Sequence, residues 1–178
     1  ELSPMRIHSN SKLKKKFKIP KNSIKLKNRK KLLGNNMKKK IYIAGPLFNE
    51  HERVYLESIA ENLEKEGFDC FLPHRDLTGV DESELKTTTM SQDTKNKIFV
   101  ADLNALKESD LTVALITGWD IDSGTSAEIG YTYAKGNPII GIDASERRFR
   151  NLFVEGMISE KVNDISAIIP AIKRKLLE

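Results

Sequence analysis

The sequence has little of several residue types on which common classes of protein depend. Of its 178 residues, one is cysteine, one is tryptophan and three are histidine. A single cysteine excludes a disulfide within the chain and favours a reducing, cytoplasmic setting. The histidines, at positions 8, 51 and 74, lack the spacing of a metal site, so we expect no metal. No apolar run approaches the roughly 18 residues that a membrane span needs, so we expect no contact with a membrane.

Two nucleotide-binding fingerprints are also missing. After the first predicted strand the chain reads Ala44-Gly45-Pro46, which lacks the G-x-G-x-x-G spacing, and no Walker A sequence occurs. A nicotinamide or flavin dinucleotide is therefore not expected, and we predict that the protein uses no cofactor.

Charge is divided unevenly along the chain. Residues 1–40 hold 15 basic residues and one acidic residue, a net charge of +14, whereas the rest holds 15 basic and 24 acidic residues, a net charge of −9. We expect residues 1–37 to be a disordered basic extension and residues 38–178 to be a folded domain. The extension could contact nucleic acid, act as a targeting segment or bind an acidic surface, and we favour the alternative that it has no role in the domain.

Strand-like apolar runs alternate with helix-like amphipathic segments from residue 40 onward. Strands are predicted at 40–46, 68–73, 111–117, 139–142 and around Val162, and helices at 50–66, 93–109, after residue 124 and at 164–177. A polar loop of about twenty residues, 74–92, joins the second strand to the second helix. This alternation predicts an α/β fold, a doubly wound (flavodoxin-like or Rossmann-like) and mostly parallel sheet of four to five strands with helices on both faces.

Several residues carry predicted local roles in these elements. Asn49 is a plausible N-cap of the first helix, and Gly67 a C′ residue that ends it. Val54 is predicted to face the sheet, together with Leu56 and its helical neighbours. Pro170 is expected to interrupt the last helix.

The stretch 118–136, GWDIDSGTSAEIGYTYAKG, combines a strand exit, a polar loop and the start of a helix. Thr125 and Ser126 are candidate N-caps, which places Glu128 in the first turn, where the helix dipole favours an ionised carboxylate. Gly130 within the helix indicates that another group approaches closely. Ligands of open α/β sheets bind outside the carboxyl ends of the strands, so we predict the functional site here. The alternative is that Glu128 only complements the dipole.

Four segments occur in an order that resembles a known family. They are IYIAGP at 41–46 with Phe48, ADLNA at 101–105, DSGTSAEIGY at 122–131 and NLF at 151–153. Over about residues 38–170 the chain resembles the nucleoside 2-deoxyribosyltransferase family, and the D-x-G-T-x-x-E-[IV]-G element is the most specific part. The resemblance implies a doubly wound enzyme that cleaves the N-glycosidic bond of 2′-deoxynucleosides.

The resemblance also implies catalytic roles. Glu128 would attack C1′ and form a covalent deoxyribosyl-enzyme, from which a second nucleobase takes the sugar with retained configuration. A carboxylate suits the oxocarbenium-like state of this reaction, and the leaving base needs an acid on its side of the sugar. Asp122 is favoured as that proton donor and Asp102 as a base-positioning residue, although either could dominate. Tyr42 would hold the carboxylate of Glu128.

Four further residues would contact the substrate. Phe48 would pack on the base or sugar, and Asn151 would reach the site of a neighbouring subunit and contact sugar hydroxyls. Gly45 and Gly124 would leave room for the ligand. The implied partners are a deoxynucleoside or deoxynucleotide, a free nucleobase and further copies of the chain in a homo-oligomer with shared active sites. Two alternatives remain: Tyr42 as an ordinary strand residue, and Phe48 as a hydrophobic staple on the first helix.

Two other functions compete with this interpretation. A 2′-deoxynucleoside 5′-monophosphate N-glycosidase would use the same glutamate with water as the acceptor. The bulky stretch 46–48 argues for a nucleoside, whereas Arg147, Arg148 and Arg150 argue for a phosphate. A non-catalytic nucleotide-binding module is the more distant alternative, since fold alone does not determine function.

Overall fold

Five parallel strands form one sheet in the order β2-β1-β3-β4-β5. The computed structural model describes residues 38–80, 82–85, 89–116, 120–143 and 151–177. The strands are β1 Lys40–Ala44, β2 Asp69–Phe71, β3 Leu111–Leu115, β4 Ile139–Ile142 and β5 Glu160–Val162. The helices are α1 Glu50–Lys65, α2 Pro73–Asp76, α3 Glu82–Leu85, α4 Gln92–Glu108, α5 Ser123–Ala134, α6 Leu152–Glu155 and α7 Ile168–Leu177. The predicted doubly wound α/β fold is confirmed, with a flavodoxin-like strand order.

Helices cover both faces of the sheet because successive residues of a strand point to opposite sides. On one face, Ile41 and Ile43 of β1 pack with buried side chains of α1 and α7. On the other face, Tyr42 and Ala44 pack with side chains of α4, α5 and α6. Tyr42 therefore points into the layer that also holds α5.

The first helix follows its sequence signals at both ends. The Asn49 side chain accepts a hydrogen bond from the backbone N–H of Glu52 at 2.9 Å, and Gly67 has φ +90°, as expected of a C′ glycine. The prediction that Val54 faces the sheet is wrong, because Val54 is 55% exposed. It lies about 200° around the helix from Leu56, which is buried.

Two other expectations are corrected. The polar stretch 74–92 is not one loop, since α2 and α3 lie within it. Pro170 does not interrupt the last helix, because it lies in the first turn of α7, where proline is tolerated. No atom of the described residues comes within 4 Å of a Cβ built on Gly130, so the close approach of another group to this glycine stays a prediction.

Some expectations concern segments for which no structure is given. Residues 1–37 and Arg147, Arg148 and Arg150 lie outside the described residues. The domain boundary after residue 37 and the phosphate alternative therefore stay predictions. In the described ranges, no helix is long and apolar enough to cross a membrane.

Candidate active site

A buried tyrosine and a glutamate meet between β1 and α5. The Tyr42 side chain is completely buried, and its hydroxyl donates a hydrogen bond to Oε1 of Glu128 at 2.6 Å. The Tyr42 ring stacks on Phe71 of β2, with 5.7 Å between the ring centroids. The fold thus brings together two predicted site residues that are 86 positions apart in sequence.

Helix α5 begins earlier than the sequence suggested. Asp122 is its N-cap: its side chain accepts hydrogen bonds from the backbone N–H groups of Gly124 and Thr125, at 2.9 and 3.0 Å, and from the Thr125 hydroxyl. The prediction that Thr125 or Ser126 caps the helix is therefore wrong. Glu128 is the sixth residue of α5, beyond the first turn, where the effect of the helix dipole has largely decayed.

The surroundings of Glu128 favour its protonated form. The pKa of this carboxyl is raised to about 8, chiefly because the group is buried; the Tyr42 hydrogen bond lowers the pKa, and the nearby charges of Asp102 and Asp122 add to the increase. The expectation that the helix dipole keeps Glu128 ionised is therefore wrong. Removal from water outweighs both the dipole and the one hydrogen bond that stabilises the anion.

Asp102 of α4 lies near the same carboxyl group. It is not an exposed helix acid, because its Oδ1 atom is buried and has no hydrogen-bond partner in the described chain. Burial raises the pKa of Asp102 to about 6. Its charge also contributes to the raised pKa values of Tyr42 and Glu128, which places the three groups in one electrostatic cluster.

The loop between β1 and α1 follows the strand that carries Tyr42. A Cβ added to Gly45 would lie 2.7 Å from Leu56 Cδ2, so the glycine permits close packing of the loop on α1. Phe48 is 77% exposed, which rules out the alternative that it is a staple on the helix. The backbone N–H of Phe48 donates a hydrogen bond to Glu52 Oε2 at 3.0 Å. This bond fixes the loop backbone, while the phenyl ring stays exposed to solvent.

The remaining predicted residues serve local structure in the single chain. Asn151 caps α6, where its side-chain oxygen accepts from the N–H of Val154 at 3.1 Å. Gly124 lies in the first turn of α5, and an added Cβ would come within 3.2 Å of Asp122 Oδ1. The structure does not bring Asn151 into hydrogen-bonding contact with Glu128. Among the residues described, no group of three or more His, Cys, Asp or Glu could hold a metal ion.

Two features that fix the site carry no sequence motif. One is Phe71, whose stacking on Tyr42 depends on the register of β2 against β1. The other is a buried hydrogen bond of 2.8 Å between the hydroxyls of Thr112 and Thr132, which joins β3 to α5. Alternation along the strands could have suggested that Phe71 and Tyr42 share a face, but not that they touch.

Comparisons with known proteins agree with this arrangement. A sequence model described as nucleoside 2-deoxyribosyltransferase matches residues 41–167, which include every predicted site residue. A conserved protein from Enterococcus faecalis V583 is similar in structure, with 27% identity, a TM-score of 0.64 and coverage of 78% of this chain and 99% of that chain. A 2-deoxyribosyltransferase from Bacillus psychrosaccharolyticus has 25% identity and a TM-score of 0.62, covering 72% and 89% of the two chains. No curated protein sequence matches.

Replacing Glu128 with glutamine should stabilise the fold, and more so at alkaline pH. The pKa of Glu128 is raised from 4.5 to about 8 on folding, so the folded state binds the proton more tightly and loses stability as pH rises through that window. Glutamine still offers Tyr42 an acceptor and cannot ionise. We expect a gain on the order of 4 kcal/mol in the free energy of unfolding at pH 8 and almost none at pH 4, measured by urea denaturation.

The matched control is Glu61→Gln, since Glu61 is exposed on α1 and only pairs with Lys65 at 3.8 Å. This control should change stability little at either pH. An equal effect of Glu128→Gln at pH 4 and pH 8 would contradict the raised pKa.

Proposed function

The chain belongs to the nucleoside 2-deoxyribosyltransferase family, and from this membership we propose that it cleaves the N-glycosidic bond of a 2′-deoxynucleoside and transfers the sugar to another nucleobase. The observation that carries the proposal is the 2.6 Å hydrogen bond from Tyr42 to Glu128 in a cluster with Asp102. Glu128 is the nucleophile. It attacks C1′ while the base departs, and a second base then attacks C1′ and releases the carboxylate.

The environment of Glu128 suits an oxocarbenium-like transition state. Burial removes the Glu128 carboxylate from water and disfavours its ionised form, as its pKa of about 8 indicates. Positive charge that develops on the sugar interacts strongly with this anion because little solvent screens it. The carboxylate therefore stabilises the transition state more than it stabilises a neutral ground state. Tyr42 orients the attacking group and shares its negative charge.

Asp102 is a better proton donor than Asp122, which reverses the preference drawn from the sequence. Both oxygens of Asp122 accept hydrogen bonds from the first turn of α5, so this residue positions the helix that carries Glu128. Asp102 has a pKa raised to about 6 and an Oδ1 atom without a partner. A carboxyl group with these properties keeps a proton to higher pH than an ordinary aspartate does, and it can give that proton to the leaving base.

The other predicted residues complete the substrate pocket. The exposed ring of Phe48 packs on the base or sugar, and Gly45 at the exit of β1 and Gly124 at the start of α5 contact the substrate. The reaction needs no metal or cofactor, because a carboxylate nucleophile and a carboxylic acid supply its chemistry.

The deciding experiment supplies two kinds of substrate to the purified protein. One reaction contains deoxyinosine and free adenine, and the other contains dAMP alone, with products separated by chromatography. We expect deoxyadenosine from the first reaction and no deoxyribose 5-phosphate from the second. Free adenine and deoxyribose 5-phosphate from dAMP would instead favour the 5′-monophosphate hydrolase.

Glu128→Ala should abolish turnover, since it removes the carboxylate that forms the covalent intermediate. We expect a loss of at least about 10³-fold in kcat. Glu61→Ala, on the exposed side of α1, should leave turnover unchanged. Turnover that survives in Glu128→Ala would refute the assigned nucleophile, and a wild type that binds nucleosides without cleaving them would favour a binding module.

The pH dependence of kcat/KM should be bell-shaped. The active form has an ionised Glu128 and a protonated Asp102, so the coupled pair holds one proton between apparent pKa values of about 6 and about 8. Tyr42→Phe removes the hydrogen bond that lowers the pKa of Glu128. We therefore expect the alkaline limb to move to higher pH and the maximum to fall on the order of tenfold, because fewer molecules keep the proton on Asp102.

Tyr133→Phe is the control for this measurement, since Tyr133 lies on the same helix and is 51% exposed. Its profile should match that of the wild type. A Tyr42→Phe profile that falls uniformly at every pH, with both limbs in place, would show that Tyr42 does not act on the proton of Glu128.

The protein also assembles into a homo-oligomer in which Asn151 completes the site of a neighbouring copy. The layer that contains the site exposes large apolar side chains on three helices: Phe99 and Val100 on α4, Tyr133 on α5, and Leu152 and Phe153 on α6. Apolar surface of this kind is typical of a contact with another protein, and Asn151 lies directly beside part of it.

The oligomer can be tested by placing a charge on this surface. Phe99 is 63% exposed, and Phe99→Glu should shift the sedimentation coefficient toward that of a monomer and reduce activity. Val54→Glu is the matched control, since Val54 is 55% exposed on α1, across the sheet. Equal dissociation by both variants, or a wild type that sediments as a monomer, would contradict the proposed interface.

A further inference from the structure

One peptide bond of the β1–α1 loop has both of its polar groups held by side chains of α1. Nη1 of Arg53 donates a hydrogen bond to the carbonyl of Leu47 at 2.9 Å. The N–H of the same peptide bond belongs to Phe48, and it donates to Oε2 of Glu52 at 3.0 Å. The carbonyl and the N–H of a trans peptide bond point in opposite directions, so Glu52 and Arg53 hold it from two sides.

These two bonds do not serve the end of the helix. In a capping box, the residue three positions after the N-cap accepts from the N–H of the N-cap itself. Asn49 is the N-cap of α1, but Glu52 reaches one residue beyond it, to the N–H of Phe48. The start of a helix leaves N–H groups unpaired rather than carbonyl groups, so the bond from Arg53 to Leu47 satisfies no group of the helix end. Both bonds therefore act on the loop.

The backbone of Phe48 is fixed on both sides. The clamped peptide bond precedes it, and Asn49 follows it, with a carbonyl that accepts from the N–H of Arg53 at 3.2 Å. The Phe48 side chain is nevertheless 77% exposed. An aromatic ring on a fixed backbone loses only the freedom of its side-chain torsions when it contacts a ligand, which lowers the entropic cost of that contact.

The loop lies where ligands of open α/β sheets bind. β1 lies between β2 and β3, so the direction of the connections reverses there, and a crevice opens between the loops that follow β1 and β3. A Cβ built on Gly45 would lie 3.2 Å from Cβ of Leu115, the last residue of β3, and the chain continues from β3 into α5. The loop with Phe48 and the helix with Glu128 thus follow adjacent strand ends at one edge of the sheet.

We propose that Glu52 and Arg53 are positioning residues, which hold the Phe48 ring ready for the nucleobase or sugar of the substrate. This inference rests on the proposed function, in which Phe48 packs on the substrate. The ring forms no bond to the reacting atoms, so its contact strengthens the binding of the substrate and of the transition state to the same degree. Loss of the clamp should therefore raise KM and leave kcat largely unchanged.

The first test measures kcat and KM for deoxyinosine with adenine as the acceptor. Glu52→Leu and Arg53→Met should each raise KM on the order of tenfold, with kcat within about twofold of the wild type. Glu52→Gln keeps an oxygen that can accept from the N–H of Phe48, so it should restore KM to near the wild-type value. Glu50→Leu is the matched control, since it removes an exposed carboxylate from the same first turn of α1. This control should change neither constant.

A double-mutant cycle separates positioning of the ring from a general effect on the loop. In a Phe48→Ala background, Glu52→Leu should change KM little, because the ring that the clamp holds is gone. A merely structural role would raise KM equally with and without the ring. An undiminished effect in the Phe48→Ala background, or a failure of Glu52→Gln to restore KM, would overturn the positioning role.

Two further measurements do not depend on turnover. Hydrogen exchange at the Phe48 amide should be faster on the order of tenfold in Glu52→Leu than in the wild type or Glu52→Gln, and equal rates would overturn the clamp. Binding of deoxyinosine is measured by calorimetry in Glu128→Gln, which lacks the nucleophile. If Glu52→Leu weakens this binding only when Phe48 is present, while the wild type cleaves no nucleoside, the clamp stands and the proposed reaction fails. If the wild type turns over and both clamp variants keep its KM, the reaction stands and the clamp fails. Absence of binding would overturn both.

Discussion

The site depends on the removal of one carboxyl group from water. Glu128 is held between α5 and β1, where burial raises its pKa to about 8 against the opposing effect of the Tyr42 hydrogen bond. That bond requires the Tyr42 side chain to point from β1, an inner strand of the sheet, toward α5, because its hydroxyl lies 2.6 Å from Oε1 of Glu128. Tyr42 in turn is held by β2 and β3 on either side and by the ring of Phe71. The protonation of Glu128 is thus set by the packing of three strands and one helix.

The spacing between Asp102 and Glu128 is set at the far ends of their helices. Nζ of Lys135, at the end of α5, donates to the carbonyls of Leu106 and Lys107 at 2.6 and 2.7 Å, and so satisfies the last turn of α4. The Thr112–Thr132 hydrogen bond anchors α5 to β3 between these points. Because neither helix can slide without breaking these contacts, the two acids stay close enough for the charge of Asp102 to disfavour ionisation of Glu128.

Local sequence signals predicted the elements better than they predicted the site. Alternating apolar runs identified all five strands, and Asn49 and Gly67 marked the ends of α1 as expected. The start of α5 was misjudged because several residues after β3 can cap a helix, and the choice of Asp122 depends on where the folded chain leaves the sheet. The Tyr42–Glu128 contact joins residues 86 positions apart, so no local pattern determines it, and it was expected only because the chain resembles a family.

The displaced helix start changes the chemistry that the sequence suggested. A glutamate in the first turn would be ionised by the helix dipole and would stay reactive in the empty protein. In the second turn, burial raises the pKa of Glu128 and the helix dipole opposes this increase less. The carboxyl group therefore keeps its proton in the ligand-free protein. In the reaction that we propose, ionisation of Glu128 would become favourable when positive charge develops on a bound sugar, which would link activation of this carboxyl group to the presence of substrate. The energetic cost of burying Glu128 would then be recovered in the transition state.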